Sequence, residues 1–199
     1  MPRVSDEHRE RRRQQILDAA RRCFVRQGFH QTSMSDIFTE AGLSAGAVYG
    51  YFKGKDELIA AIAEQAVGGI MQLLEPIATS EPPPTIDEFI RQGLRATSDF
   101  AFGPDGVARL APQVWAEGAR DPRLGAVLAT KYQAIHGLLT QLVAAEQRMG
   151  RIAPDADAEE VAKVIVSTIM GYIMQRVLIG NVEPDSYASG LAALTRPGS

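Results

Sequence analysis

Residues 33–58 of the chain are SMSDIFTEAGLSAGAVYGYFKGKDEL. Ser33 and Asp36 have the spacing of a capping box, which predicts that a helix begins after Ser33, and Gly42 is a typical residue to end it. Ser44 lies two residues later and can cap a second helix of about two turns. Two short helices separated by such a tight turn are the layout of a helix-turn-helix.

These two short helices need a preceding helix to pack against. The apolar residues available for this contact are Ile37, Ala41, Leu43 and Val48. Once they fix the angle between the helices, the second helix is free to enter the major groove of DNA, which is wide enough for one α-helix. Double-stranded DNA is therefore the expected partner, and the alternative is a helical hairpin that only forms part of a bundle.

Most of the remaining chain also predicts helices, because apolar residues recur at spacings of three and four and alternating β-branched runs are absent. The predicted bounds are Arg9–Gln27, Ser33–Gly42, Ser44 to Tyr51 or Phe52, Gly54–Glu75, Thr85–Phe102, a short helix around Leu110 that ends at Gly118, Asp121–Met149, Asp157–Ile179 and Asp185–Leu194. Pro76 and the stretch Ser80–Pro84 are expected to break the chain into a loop. The fold class is therefore all-α, with about nine helices.

The charge of the chain is unevenly placed. The 199 residues carry a formal net charge of −3, whereas residues 1–55 hold ten Lys and Arg against six Asp and Glu. A basic head on an acidic remainder suggests that only the head meets a polyanion. The single cysteine, Cys23, excludes an internal disulfide, the histidines are too scattered for a metal site, and no cofactor is expected. The sequence has no run of about 18 uncharged apolar residues and no secretory signal, so we expect a cytoplasmic protein without membrane contact.

The segment around the helix-turn-helix resembles the TetR family of transcriptional regulators. The matches at the family's spacing are Ile37, Ala41, Gly42, Ser44, Gly46, Tyr49, Tyr51, Phe52, Lys55 and Leu58. The resemblance implies an N-terminal three-helix DNA-binding domain, residues 1–55, and a C-terminal helical bundle, residues 56–199, that binds an effector and dimerises. It also implies a homodimer on a near-palindromic operator, expected to be a repressor that a small-molecule effector releases.

The resemblance and the residue types together give a set of candidate DNA contacts, which are Ser33, Ser35, Ser44, Ala45, Gly46, Ala47, Tyr49, Tyr51 and Lys55. The hydroxyl groups suit phosphates, and Gly46 permits a close approach to the DNA backbone. Lys55 can hold a phosphate together with the N-terminal amides of the fourth helix. Arg3 and residues 9–13 add a basic segment that is either a DNA arm or a solvated helix start.

Two features depart from the family pattern. Phe38 stands where the family usually has alanine, so the local packing between helices must differ. The recognition helix contains Ala45, Gly46, Ala47 and Gly50 and therefore has almost no long polar side chains. Alanine can touch a thymine methyl group but cannot make a bidentate hydrogen bond to guanine. We expect specificity to depend on DNA shape, on the tyrosines and on methyl contacts.

The helix predicted at Asp157–Ile179 is apolar on nearly all sides, which predicts burial on both sides. In similar proteins the last two long helices form a four-helix dimer interface, and the residues placed there are Val164, Thr168, Gly171, Tyr172 and Gln175. A candidate effector pocket lies among the middle helices, with Phe89, Phe100, Phe102, Trp115, Tyr132, His136 and Met170 as its residues. Trp115 and the phenylalanines are individually more often core residues than ligand contacts, and His136 is more often an ordinary buried or surface histidine than a ligand contact.

Two other classes of function compete with a DNA-binding regulator. A helical-bundle enzyme or small-molecule binding protein would not bind DNA, and an enzyme would need a paired acid and base in its pocket. The sequence offers no clear candidate for such a pair, so no enzyme activity is expected. A protein-interaction module would use the apolar helix surface without DNA. Salt-sensitive binding to a palindromic duplex separates the regulator from both alternatives.

Overall fold

The computed structural model describes residues 6–103 and 106–195, and within these ranges it contains helices and no strand. Its α-helices are α1 (Asp6–Gln31), α2 (Met34–Ala41), α3 (Ala45–Tyr49), α4 (Lys55–Ala78), α5 (Ile86–Phe102), α6 (Ala111–Gly118), α7 (Pro122–Arg148), α8 (Ala158–Ile179) and α9 (Pro184–Thr195). A short 3-10 helix, Ala108–Leu110, precedes α6. The predicted all-α class is confirmed.

The helix-turn-helix is capped as the sequence predicts. The Ser33 hydroxyl accepts a hydrogen bond from the Asp36 amide (3.2 Å), and the Asp36 carboxylate accepts one from the Ser33 amide (2.8 Å). Gly42 has a φ of 65°, the left-handed conformation that ends α2 and favours glycine. The Ser44 hydroxyl accepts from the Ala47 amide (3.3 Å) and caps α3. These caps satisfy amides that a helix start leaves without backbone partners.

The first three helices share one apolar core. Ile16, Cys23 and Phe24 supply the α1 side and are fully buried. The predicted residues of the opposite side are Ile37, Ala41 and Val48, which are buried, and Leu43, which is half buried. The packing that fixes the angle between α2 and α3 is therefore the one expected from the sequence.

The fourth helix is longer than predicted. It runs from Lys55 to Ala78 and contains Pro76, which was expected to end it. Pro76 lies in the last turn, where its missing amide removes only one intrahelical hydrogen bond. The Thr79 amide still donates to the Glu75 carbonyl at 3.0 Å, so the turn closes normally. As a result α4 continues unbroken from the helix-turn-helix into the bundle, where it packs against α5 and α7.

The ends of α1 and α3 also differ from the prediction. Gly28 is non-helical, with a φ of 77°, but one more turn follows it to Gln31. α3 is five residues long and ends at Tyr49. The Tyr51 amide instead donates to the Val48 carbonyl (2.9 Å) in a tighter turn. The recognition helix is therefore shorter than two turns.

The remaining helices, α4 to α9, form a bundle with an apolar core. α7 packs on α8 and α4, and α5 packs on α4 and α9. By length and composition alone, α4 and α8 are apolar enough to cross a membrane, although no uncharged run in either reaches that length. In the structure both helices pack against α7 within the bundle.

Candidate nucleic-acid interface and sensor cavity

α3 presents small and polar residues to solvent. Ser44, Ala45 and Gly46 are exposed, and Tyr49 exposes 50% of its surface. Val48 is the opposite case, because it is fully buried in the apolar core. α3 is thus anchored by one apolar residue and is otherwise accessible, which is the arrangement that a recognition helix needs.

The remaining predicted DNA contacts are at least partly accessible: Ser33 and Ser35 are exposed, whereas Ala47, Tyr51 and Lys55 are half buried. The Ser33 hydroxyl donates to the Asp36 carboxylate at 2.6 Å, so its proton is committed to the helix cap. This bond and the one from the Ser33 amide lower the pKa of Asp36. The Ser44 hydroxyl only accepts in its own cap, and its proton can be donated to a phosphate.

Lys55 brings the start of α4 next to the start of α2. Its Nζ donates to the carbonyl oxygen of Thr32, which directly precedes the N-cap of α2, at 3.2 Å. Gly54 is the N-cap of α4 and provides no side-chain hydrogen bond, which leaves the first amides of α4 for another acceptor. An ammonium group beside an uncapped helix start is an arrangement that suits a phosphate oxygen.

The basic segment near the N-terminus belongs to α1. Residues 9–13 lie inside this helix, and Arg3 lies outside the described residues. Arg11 pairs with Glu7, with 3.6 Å between nitrogen and oxygen, and Arg13 pairs at 3.7 Å with the glutamate three residues earlier. Helical structure and partial neutralisation favour a solvated helix start over an extended DNA arm.

Two small cavities lie among the middle helices. Their volumes are about 60 and 30 Å³, and both are lined by Val67, Ile70, Tyr132 and Ile173. Of the predicted pocket residues, Trp115 lines the larger cavity, Met170 lines the smaller one, and Tyr132 lines both. Trp115 Nε1 donates to the Tyr132 hydroxyl oxygen at 2.8 Å, and burial raises the pKa of Tyr132. Small-molecule sites usually measure roughly 300–1,000 Å³, so neither cavity as it stands holds an effector of ordinary size.

Four predicted pocket residues line neither cavity: Phe89, Phe100, Phe102 and His136. Phe89 is fully buried in the core. Phe102 lies under the guanidinium of Arg176, which is 4.4 Å from the ring centroid. Phe100 is 40% exposed and lines a cleft of about 440 Å³, which shares Ile62 and Val107 with the larger cavity. The structure does not bring these four residues to either cavity, because an aromatic residue type does not reveal which side of its helix faces a cavity.

One side of α8 is left uncovered within the chain. Ile165, Ile169 and Ile173 are buried on the other side. The large apolar residues left exposed are Val164 (65%), Leu178 (72%) and Ile179 (71%) of α8 and Leu194 (85%) of α9. Of the predicted interface residues, Gln175 is also exposed, and Thr168 and Gly171 are half buried. Leu178 was not predicted, although it follows Gln175 by three residues and shares its helix face.

Tyr172 does not belong to this uncovered face. It is fully buried within its own chain. Its ring centroid lies 5.4 Å from that of Tyr187, and its hydroxyl oxygen accepts from Arg176 at 2.6 Å. The prediction of Tyr172 as an interface residue is therefore wrong. Successive residues of an α-helix are rotated by about 100°, so the neighbour of Gly171 points into the bundle.

Gln113 of α6 makes a contact that the sequence did not indicate. Its Oε1 accepts a hydrogen bond from the Phe29 amide at 3.0 Å, which joins the end of α1 to the bundle. The absence of a side chain at Gly28 allows this approach, since Gln113 Oε1 would lie only 3.3 Å from a Cβ at that position. A single glutamine carries no local signal for a partner 84 positions away.

Family models cover both parts of the chain. The model of "Bacterial regulatory proteins, tetR family" matches residues 16–62, and that of "BetI-type transcriptional repressor, C-terminal" matches residues 90–195. The HTH-type transcriptional regulator UidR of Escherichia coli K12 is 30% identical over 183 residues, which are 92% of this chain and 90% of UidR. The HTH-type transcriptional repressor Rv1474c of Mycobacterium tuberculosis is 42% identical over 65 residues, 33% of this chain and 35% of that protein.

Solved structures have the same fold. GusR of Salmonella enterica superposes with a TM-score of 0.77 at 25% identity, covering 97% of this chain and 96% of GusR. FadR of Bacillus subtilis in complex with stearoyl-CoA gives a TM-score of 0.76 at 20% identity, covering 92% of this chain and 100% of FadR. At that identity the likeness to FadR shows the fold alone.

Proposed function

The chain belongs to the TetR family of bacterial transcriptional regulators, and we propose that it is a cytoplasmic repressor that binds a near-palindromic operator as a homodimer and leaves it when a small-molecule effector binds. The observation that carries the proposal is the exposed surface of α3, close in the chain to the Lys55 ammonium and the uncapped start of α4. These features combine a helix that fits a major groove with a site for a backbone phosphate.

The interface divides into contacts that position the protein and contacts that select a sequence. Lys55, Ser44 and the hydroxyl of Tyr51 bind phosphates and set the register of the protein on the duplex. Ala45 and Tyr49 face the base edges, where a methyl group and a ring can contact thymine. Both are exposed, which supports this assignment. Because α3 has no side chain suited to a bidentate contact with guanine, DNA shape contributes much of the specificity.

A second copy of the chain is the proposed partner of the uncovered α8 and α9 face. Val164 and Leu178 are 65% and 72% exposed, and such apolar residues along one helix face favour burial against another protein surface. A two-fold axis through this face gives one recognition helix per half-site. The two helices would then lie about 34–36 Å apart, one turn of DNA, or somewhat more.

The proposed effector site is the pair of cavities beside Trp115 and Tyr132. None of the described lining residues is charged, so the effector presents an uncharged and largely apolar body to this site. The Tyr132 hydroxyl accepts from Trp115 and can donate its own proton to an acceptor on the effector. Because the cavities are small, an effector selects an expanded arrangement of the helices, which is how it alters DNA affinity.

The test is fluorescence anisotropy with the full-length protein and duplexes selected from a random pool and from the region upstream of its gene. We expect two chains per duplex and an affinity that falls steeply with salt. The combined variant Tyr49→Ala and Lys55→Ala should lose at least about tenfold in affinity, since a hydrogen bond to a charged group such as a phosphate contributes about 1.5–3 kcal/mol. Lys131→Ala, in α7, removes the same charge away from this interface and should bind normally. Undiminished affinity of the double variant, or no affinity of the wild type for any duplex, contradicts the proposal.

A further inference from the structure

We propose that Phe38 is a positioning residue for sequence readout, because it holds the ring of Tyr49 in one orientation on the exposed side of α3. The inference rests on the proposed function, since it requires α3 to meet DNA. The two rings lie edge to face, with centroids 5.4 Å apart and planes at 70°. This is the geometry that aromatic pairs prefer, because the positive edge of one ring faces the negative face of the other.

Tyr49 is the residue of α3 whose orientation matters most. The helix is AGAVY, and its other large residue, Val48, is fully buried. Tyr49 is therefore the one long side chain that α3 can direct at base edges. A half-exposed tyrosine without a neighbour samples several rotamers. Restricting it before binding lowers the entropy lost when DNA is bound and fixes which base the ring contacts.

Phe38 is suited to this role because the turn of the motif fixes its backbone. It lies near the end of α2, and its carbonyl oxygen accepts from the Leu43 amide at 3.1 Å and also from the Gly42 amide. Its side chain is half buried and packs against the apolar core. The ring is thus anchored on the core side while it contacts Tyr49.

The expected consequence is a loss of sequence preference rather than a general loss of affinity. Phosphate contacts by Lys55 and Ser44 do not involve either ring, so binding to unrelated duplexes and the salt dependence should remain. Without the Phe38 ring, operator binding should weaken by about threefold per chain, and so by about tenfold for a dimer, because ordering one free side chain on binding costs about 0.5–1.5 kcal/mol.

The experiment is a double-mutant cycle on the full-length protein with Phe38→Leu and Tyr49→Ala, which keeps an apolar residue at position 38. Anisotropy measures Kd for the duplex that the wild type selects from a random pool and for a scrambled duplex. We expect Phe38→Leu to lose about tenfold on the selected duplex only, and to lose nothing further when Tyr49 is already alanine. Phe38→Tyr keeps the ring and should therefore keep the preference of the wild type for the selected duplex.

Three outcomes overturn the inference: equal affinities of Phe38→Leu and wild type, additive effects of the two substitutions, or an equal loss on both duplexes. The last outcome would indicate a purely structural role, which the melting temperature of Phe38→Leu would also report. If the wild type selects no duplex at all, the proposed function itself fails. If the wild type selects a duplex and Phe38→Leu binds it equally well, only this inference fails.

Discussion

Replacing Lys55 with alanine should reduce the salt dependence of DNA binding by an amount that follows from the structure. Each chain holds one Lys55 ammonium beside the uncapped start of α4, so a homodimer places two of them on DNA. Each phosphate contact contributes about 0.9 to the slope of log K against log salt, and the slope should therefore fall by about 1.8. Between roughly 50 and 200 mM salt, this difference changes the affinity ratio of wild type to variant by about twelvefold.

The measurement is a set of anisotropy titrations of one duplex at several salt concentrations. Lys131→Ala is the matched control, because Lys131 lies in α7, where it pairs with Glu64 at 3.0 Å. Its slope should equal that of the wild type. An unchanged slope for Lys55→Ala would refute the assignment of a phosphate to this lysine, even if the variant binds DNA more weakly.

Three further variants test the dimer face, the cation of a buried carboxylate and a helix cap. Val164→Glu combined with Leu178→Glu should give a monomer by light scattering, with weak DNA binding by anisotropy. The control Met149→Glu, at a residue that is 44% exposed and lies just beyond α7, should remain a dimer. A double variant that is still dimeric would place the interface elsewhere. Arg151→Ala leaves the Glu146 carboxylate, in a residue only 2% exposed, without its cation. In denaturant titrations it should lower the free energy of unfolding by more than the control Arg148→Ala does. Arg148→Ala, at the exposed end of α7, the helix that carries Glu146, should change the free energy of unfolding by less than about 0.5 kcal/mol. Equal effects of Arg151→Ala and Arg148→Ala would argue against a role for the burial of Glu146. Ser33→Ala should lower the free energy of unfolding at neutral pH by about 1 kcal/mol, with Ser35→Ala as its control. The bonds from Ser33 lower the pKa of Asp36 in the folded state, so the stabilisation they give is present above the ordinary aspartate pKa. The difference in free energy of unfolding between Ser33→Ala and wild type should shrink as the pH falls through the pKa of Asp36 in the folded state.

The helix-turn-helix could be predicted from the sequence because its signals are local. Ser33, Asp36, Gly42 and Ser44 act on amides or torsions within a few residues of themselves, so their spacing is sufficient to place two helices and a turn. Pro76 led to a wrong prediction for the end of α4. Proline disfavours the helix at its own amide and at the carbonyl four residues earlier, and here the helix ends two residues after Pro76 all the same.

The sensor cavity and the dimer face could be predicted only in part, because both depend on how each helix is rotated in the bundle. α8 is apolar on nearly all sides, so its sequence pattern does not distinguish the side that faces its own chain from the side that faces a partner. Val164 is exposed, whereas Tyr172 is buried, although both suit either environment. The contact of Phe38 with Tyr49 joins two helices across the turn, and the pattern of α2 alone gives no sign of it.

The end of α1 links the wall of the larger cavity to the helix-turn-helix. α6 contributes Val114 and Trp115 to the larger cavity, and the preceding residue, Gln113, accepts from the Phe29 amide at 3.0 Å. An effector larger than the present cavity must displace the wall, and a displaced α6 would pull on this bond. Phe29 is 3% exposed, and an unpaired buried amide costs about 1–3 kcal/mol. The lower-energy response is for the segment around Phe29 to follow α6.

The same segment contacts Lys55, the proposed phosphate ligand. The Thr32 hydroxyl donates to the Gly28 carbonyl at 2.8 Å, and the Lys55 ammonium donates to the Thr32 carbonyl at 3.2 Å. A shift of residues 28–32 would therefore displace the ammonium, and in a homodimer it would do so twice. Losing both phosphate contacts has the same effect on the salt slope as Lys55→Ala. Release of the DNA by an effector would then require no rearrangement of α3 itself, since a change in these two contacts is enough to weaken binding.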